Sequence, residues 1–187
     1  MKNKLMLGAL LLLAAAAAFG RQYDLDDTAE VDLRGVDELV FDLRGLSCSL
    51  CVRTLDIESE IAGDGSGGAM TLNLSGSITS NRDKAVPSLV VEETGRMVTV
   101  RLYPRGRSFF GLSQSGRAMF AATVPESFGG AVSVVTSSDD LVVRDFSVGG
   151  MDVRSSSGDM TVRNVSADEV DLRISSGDFR GDGLSAS

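Results

Sequence analysis

Two cysteines and one recurring aspartate are the residues whose type and spacing invite chemistry in this chain. Cys48-Ser-Leu-Cys51 has the spacing of a redox or metal-binding pair. A redox dithiol needs a helix N-terminus or a similar positive field to lower a thiol pKa. Here the surroundings alternate like a strand, with Cys48 in phase with Leu46 and Leu50 and Cys51 out of phase. A metal centre needs about four ligands, and the sequence offers no histidine and no third cysteine. Two readings stay open: a local Cys48–Cys51 disulfide formed on export, or two unpaired thiols.

The aspartates are Asp140, Asp159 and Asp178, spaced 19 residues apart. Asp159 and Asp178 each close a Ser-Ser-Gly-Asp turn, and Asp139 takes the glycine position in the first copy. Gly supplies a positive φ there, Asp tolerates it less well, and short oxygen-bearing side chains bond turn backbone. Stacked at a strand spacing of about 4.8 Å, two such carboxylates repel by roughly 1–3 kcal/mol. Turn N–H groups are the expected compensation. A bound Ca²⁺ is the rival, but the repeat is not the glycine-rich Ca²⁺-binding nonapeptide. Paired carboxylates on one face could cleave a polysaccharide by acid–base chemistry, yet these sit in turns, recur in every copy and lack an aromatic platform for sugar. Without histidine no Ser-His-Asp constellation exists, and no glycine-rich phosphate loop is present. No catalytic, metal or cofactor-binding residue is assigned, and no cofactor is expected.

The element that positions these aspartates is a repeat. In register, the copies are Val132–Gly150, Met151–Glu169 and Val170–Ser187. Val134, Val153 and Leu172 share one column; Leu141, Met160 and Phe179 another; Phe146, Val165 and Leu184 a third; Ser147, Ser166 and Ser185 a fourth. A short fixed period marks a solenoid whose coils bury one another's apolar faces. Nineteen residues leave no room for a helix pair, and each copy alternates with period two. The fold class predicted is all-β: a single-stranded, parallel β-helix-like solenoid, its regular coils spanning residues 132–187. Arg154 and Arg173 form one outward column and Arg144 and Arg163 another, with Asp145, Asp152 and Asp171 placed for surface pairing.

Upstream, about Val36–Val124, alternation continues with irregular spacing, as in Leu39/Phe41/Leu43, Met70/Leu72/Leu74 and Val98/Val100/Leu102. Ala62–Ala69 reads as a flexible turn and Ser75–Lys84 as a polar connection. Ser108–Leu112, with its two phenylalanines, is read as capping the solenoid side rather than meeting a membrane or partner. Because terminal repeats of solenoids are atypical, residues 36–187 are taken as one domain, preceded by a polar lead at 21–35.

Residues 1–20 read as a cleaved secretory signal peptide: Lys2 and Lys4, an apolar run over Leu5–Phe19, and small residues at Ala18 and Gly20. Membrane attachment is expected only if this segment is retained. Its removal takes two of the 18 basic residues and none of the 26 acidic ones, leaving 16 against 26, a net charge of −10. Such a surface repels nucleic acid and anionic lipid and tolerates cationic partners.

Val124-Pro125, the stretch VPESFGGAVSVVTSSDDLVV and the Ser-Gly-Asp turns at Ser157–Asp159 and Ser176–Asp178 resemble the bacterial putative-adhesin β-repeat family, a domain-of-unknown-function family of exported or membrane-associated proteins. The resemblance covers roughly Leu39–Ser187. It implies a β-solenoid and brings no catalytic residues with it. The first coil departs from the motif at Asp139, and the third stops one residue short of its period. The function expected is a non-enzymatic, structural or adhesive scaffold in the periplasm, cell envelope or extracellular space. Its partner would be an unidentified surface protein or glycan. An envelope regulatory module binding another protein is the alternative, and a carbohydrate-active enzyme a more distant one. The apolar face of the last coil predicts end-to-end self-association, or a natural chain that continues past Ser187.

Overall fold

The computed structural model describes residues 20–46, 52–65, 68–81, 83, 86–104, 113–137 and 139–186. Residues 1–19 of the signal segment, Cys48 and Cys51, and Ser108–Leu112 lie outside the described residues.

Period-two alternation drives every element that follows, since each strand must turn one face to a core and one to water. The described residues form eleven strands, with a 3₁₀ turn at Leu43–Leu46: β1 Arg21–Asp32, β2 Glu38–Asp42, β3 Val52–Gly65, β4 Ala69–Ser80, β5 Pro87–Thr94, β6 Met97–Pro104, β7 Ser113–Pro125, β8 Ala131–Thr136, β9 Asp140–Ser155, β10 Met160–Ile174 and β11 Phe179–Ala186. The protein is all-β.

In the repeat region the ladders are parallel and hold one register. Val134 of β8 lies beside Val153 of β9. Leu141, Phe146 and Val153 of β9 lie beside Met160, Val165 and Leu172 of β10. Met160 and Val165 in turn lie beside Phe179 and Leu184 of β11. Each of these apolar columns thus has its first two members buried, from Val134 at 0 % to Phe146 at 3 % exposed. The third members differ: Leu172 is half-buried, while Phe179 and Leu184 are 47 % and 41 % exposed.

β9 is a single long strand with a bend. Residues 140–144 pair with β3 and residues 150–155 with β8, so its two limbs belong to opposite sides of the core. The bend lies at Asp145, whose φ is 60°; Asn164 (50°) and Gly183 (64°) repeat it one and two coils later. Left-handed φ costs most residues roughly 1–2 kcal/mol, and Gly, Asn and Asp visit it most readily. The three residue types that accept the corner therefore occupy it.

The strands order as β1-β4-β7-β3-β9 along one limb and β5-β6-β2-β8-β9 along the other. Parallel stacking gives way in the N-terminal half, where β1–β4, β4–β7 and β5–β6 are antiparallel. The limbs face each other across one core: the rings of Phe41 (β2) and Phe120 (β7) meet edge-on at 6.3 Å. At the far end Asp27 Oδ2 of β1 accepts the Leu89 N–H of β5 at 3.3 Å, tying the two outermost strands together.

Three sequence readings need correction. The polar lead is the outermost strand β1, whose Tyr23, Leu25, Ala29 and Val31 pack on the core. The alternation is hidden because Asp27 occupies an inward phase. Ser75–Ser80 is strand rather than connection: Gly76 holds the inward position between the buried Leu74 and Ile78. Gly76 and Gly116, with φ of 131° and 130°, bring β4 and β7 so close that a Cβ on either would lie 2.3 Å from the other strand's carbonyl oxygen. Finally, Ala62–Gly65 belongs to β3, with a register shift against β7 in place of a flexible turn.

Candidate functional site

The aspartate column is the densest polar feature that the repeat builds. Asp140 Oδ1 accepts the backbone N–H of Asp159 at 2.9 Å, and Asp159 Oδ1 accepts that of Asp178 at 3.0 Å. Beside these, the Leu141 N–H donates to the Asp159 carbonyl and the Met160 N–H to the Asp178 carbonyl, both at 2.9 Å. Each carboxylate therefore clamps its own coil to the following one. Sequence reasoning expected turn N–H groups as the partners, and in both bonds the donor belongs to the turn of the next coil. A charge-assisted bond of this kind contributes roughly 1.5–3 kcal/mol, comparable with the like-charge repulsion it must offset.

The turns that carry these residues stack by backbone contact. Gly158 has φ of +95° and a Cβ there would lie 2.5 Å from the Asp139 carbonyl oxygen; at Gly177, φ is +117° and the distance to the Gly158 oxygen 2.2 Å. Both conformation and space require glycine. In the first turn Asp139 holds the position that glycine takes in the next two. It is buried at 7 % exposure and supplies the carbonyl on which Gly158 rests.

Three of the four column arginines, Arg144, Arg154 and Arg173, are spent on carboxylates of their own surface. Arg154 bonds Asp152, and Arg173 bonds Asp171, each at 2.6 Å and two residues back along the strand. Asp32–Arg34 and Asp42–Arg44 repeat the arrangement, so Asp-apolar-Arg with its middle residue inward recurs four times. Arg144 bridges Glu60 and Asp145, each at 2.6 Å, and the Asn164 amide donates to Asp145 Oδ1 at 2.9 Å. The Asn164 amide and the Arg144 guanidinium together hold the Asp145 carboxyl below the usual carboxylate range. Arg44 does the same for Asp42, mainly through its hydrogen bond.

Glu58 of β3 lies directly beside Asp140, extending the acidic row by one strand. Next to it a shallow groove of about 270 Å³ runs across the strands, lined by Glu58, Glu60, Met119, Asp140, Val142 and Asp159, with Met119 at 43 % exposure. Among the described residues no group of three or more acidic or thiol side chains is placed to hold a metal ion.

Sequence reasoning missed Glu58, Glu60 and the Asp145–Asn164–Gly183 corner. The corner had a signal, because Asp, Asn and Gly recur at the repeat spacing where φ must turn positive. Glu58 and Glu60 had none, since they lie in the irregular part of the chain, far in sequence from their neighbours Asp140 and Arg144 in the first regular coil.

Among solved structures, a putative cell adhesion protein from Clostridium sporogenes is similar over 87 % of this chain and 100 % of its own, with TM-score 0.51 and 8 % identity. A putative adhesin from Parabacteroides distasonis covers 87 % of this chain and 66 % of its own, with TM-score 0.39 and 12 % identity. The first likeness speaks for the fold alone. No curated relative matches the sequence. The family Toastrack DUF4097 matches residues 54–187. That match spans all three repeat copies and most of the irregular half, and the chain belongs to this putative-adhesin family of domains of unknown function.

Proposed function

We propose that this protein is an exported, non-enzymatic β-solenoid scaffold with a structural or adhesive role at the cell envelope. The observation that carries this reading is where its polar side chains are committed. The aspartates of the repeat clamp successive coils, and the Asp-apolar-Arg pairs neutralise themselves along the strands. Groups so used hold a surface in shape and are poor candidates for proton transfer. What the molecule offers outward is a regularly spaced polar face.

The test exposes the purified chain to immobilised glycans and, in parallel, to extracted envelope proteins. Retention of a glycan or surface protein, with the ligand recovered chemically unchanged, is the expected result. Release of shortened saccharide chains would overturn the reading in favour of an enzyme. Export is tested separately by fractionation: the reading expects the chain outside the cytoplasm and shortened by its first twenty residues, near Gly20.

A further inference from the structure

On the outer face of β3 and β9, three exposed carboxylates stand in a row without a cation among the described residues to answer them. Glu58 lies beside Asp140, and Asp159 follows Asp140 one coil on. Among the described residues Glu58 makes no ion pair or side-chain hydrogen bond, and Asp140 and Asp159 use only Oδ1, on the clamps between coils. Elsewhere on the repeat surface Asp145, Asp152 and Asp171 each hold an arginine. Glu60, next to Glu58 on the same face, is drawn to Arg144 at 2.6 Å. Arg180 stands beside Thr161, one strand further on, and makes no ion pair with the row.

The row borders a groove with apolar walls, which sets it apart from an ordinary solvated acidic surface. Val142 lies between Glu60 and Thr161 and is half-buried. Met119 lies beside Glu58 and is 43 % exposed. Together they line a space of about 270 Å³ below the carboxylates. A ligand that satisfies both parts needs a cationic head on a hydrocarbon stem. Lysine and arginine side chains have that construction and lay their stems along apolar surface. A bare metal ion would use the carboxylates alone, and among the described residues no three are placed to hold one. A second copy of this chain, a nucleic acid and an anionic lipid are all repelled by its net charge of −8. We propose that this groove docks an extended basic segment of another protein. One lysine stem lies on Met119 and Val142, and its ammonium sits among Glu58, Asp140 and Asp159. The inference rests on the scaffold reading and names the class of partner the scaffold takes.

The test is fluorescence anisotropy of a labelled Lys-Ala-Lys-Ala-Lys peptide titrated with the full purified chain at about 0.15 M salt. Saturable binding is expected. Glu58→Lys should weaken it by about tenfold or more. Glu93→Lys makes the same change of charge on β5, in the opposite limb, and should alter binding by less than about twofold. A peptide with 2,4-diaminobutyrate in place of each lysine keeps the charge and shortens the stem. It should bind about fivefold more weakly or worse. Both substituted side chains are exposed, and an unchanged far-ultraviolet spectrum confirms that the variants fold. Absence of saturable binding, equal losses for Glu58→Lys and Glu93→Lys, or undiminished binding of the shortened peptide would each overturn the proposal. The scaffold reading would survive any of these, because it stands on retention of glycans and envelope proteins.

Discussion

Two glycines show how local space, beyond backbone angle, sets what one residue costs. Gly35 and Gly158 both have left-handed φ, +80° and +95°, but nothing lies within 4 Å of a Cβ at Gly35, while one at Gly158 meets the Asp139 oxygen at 2.5 Å. Gly35→Ala is expected to cost only the conformational part, roughly 1–2 kcal/mol. Gly158→Ala must also push two coils apart and should cost about 3 kcal/mol or more; urea unfolding of the two variants side by side measures the difference. Asp145 makes a second prediction at this scale. Its carboxyl is held below the usual range by Asn164 and Arg144. A depressed carboxyl contributes stability above its unfolded value of about 3.9, and that contribution disappears as pH falls through the lower folded value. Asp145→Asn keeps a residue suited to the corner and removes the charge. Its unfolding midpoint should lie below that of the unaltered chain at pH 7, and the gap should narrow at pH 3. A gap that widens in acid would contradict the assigned role.

At the level of elements, the ladder rather than the single turn is the working unit. Asp159 is both acceptor for the next coil and a like-charged neighbour of Asp140 and Asp178, and two substitutions separate these roles. Asp159→Asn retains an Oδ1 acceptor and relieves repulsion, so its thermal midpoint at low salt should equal or exceed that of the unaltered chain. Asp159→Ala removes the acceptor, and the Asp178 amide should exchange its hydrogen faster, at a stability cost of about 1 kcal/mol. Equal behaviour of the two variants would mean that the carboxylate does not act as a clamp. The repeat was legible in the sequence because every coil places the same residue types at the same phase, so spacing alone gave the columns at Val134, Leu141 and Phe146. β1 and the second half of β4 were not, because Asp27 and Gly76 occupy inward positions that alternation expects to be apolar. Asp27 is explained only by a bond to a strand sixty residues away, and Gly76 only by close approach to β7. Long-range pairing of this kind leaves no mark at any local period.

On the scale of the whole molecule, the irregular half and the regular coils share one core, and this decides how the protein unfolds. Phe120 is fully buried against Phe41 across the two limbs, whereas Phe179 on β11 is 47 % exposed. Truncating them should therefore have unequal effects: about 3–5 kcal/mol for Phe120→Ala, and under about 1 kcal/mol for Phe179→Ala. Hydrogen exchange gives the same contrast without mutation. β9 has paired neighbours on both edges, β3 and β8 on one side and β10 on the other. Its amides can open only when the shared core opens, so they should exchange at the rate of global unfolding, while β11, held on one edge, exchanges through local opening. Uniform exchange from β9 to β11 would show instead that the stack melts as one block.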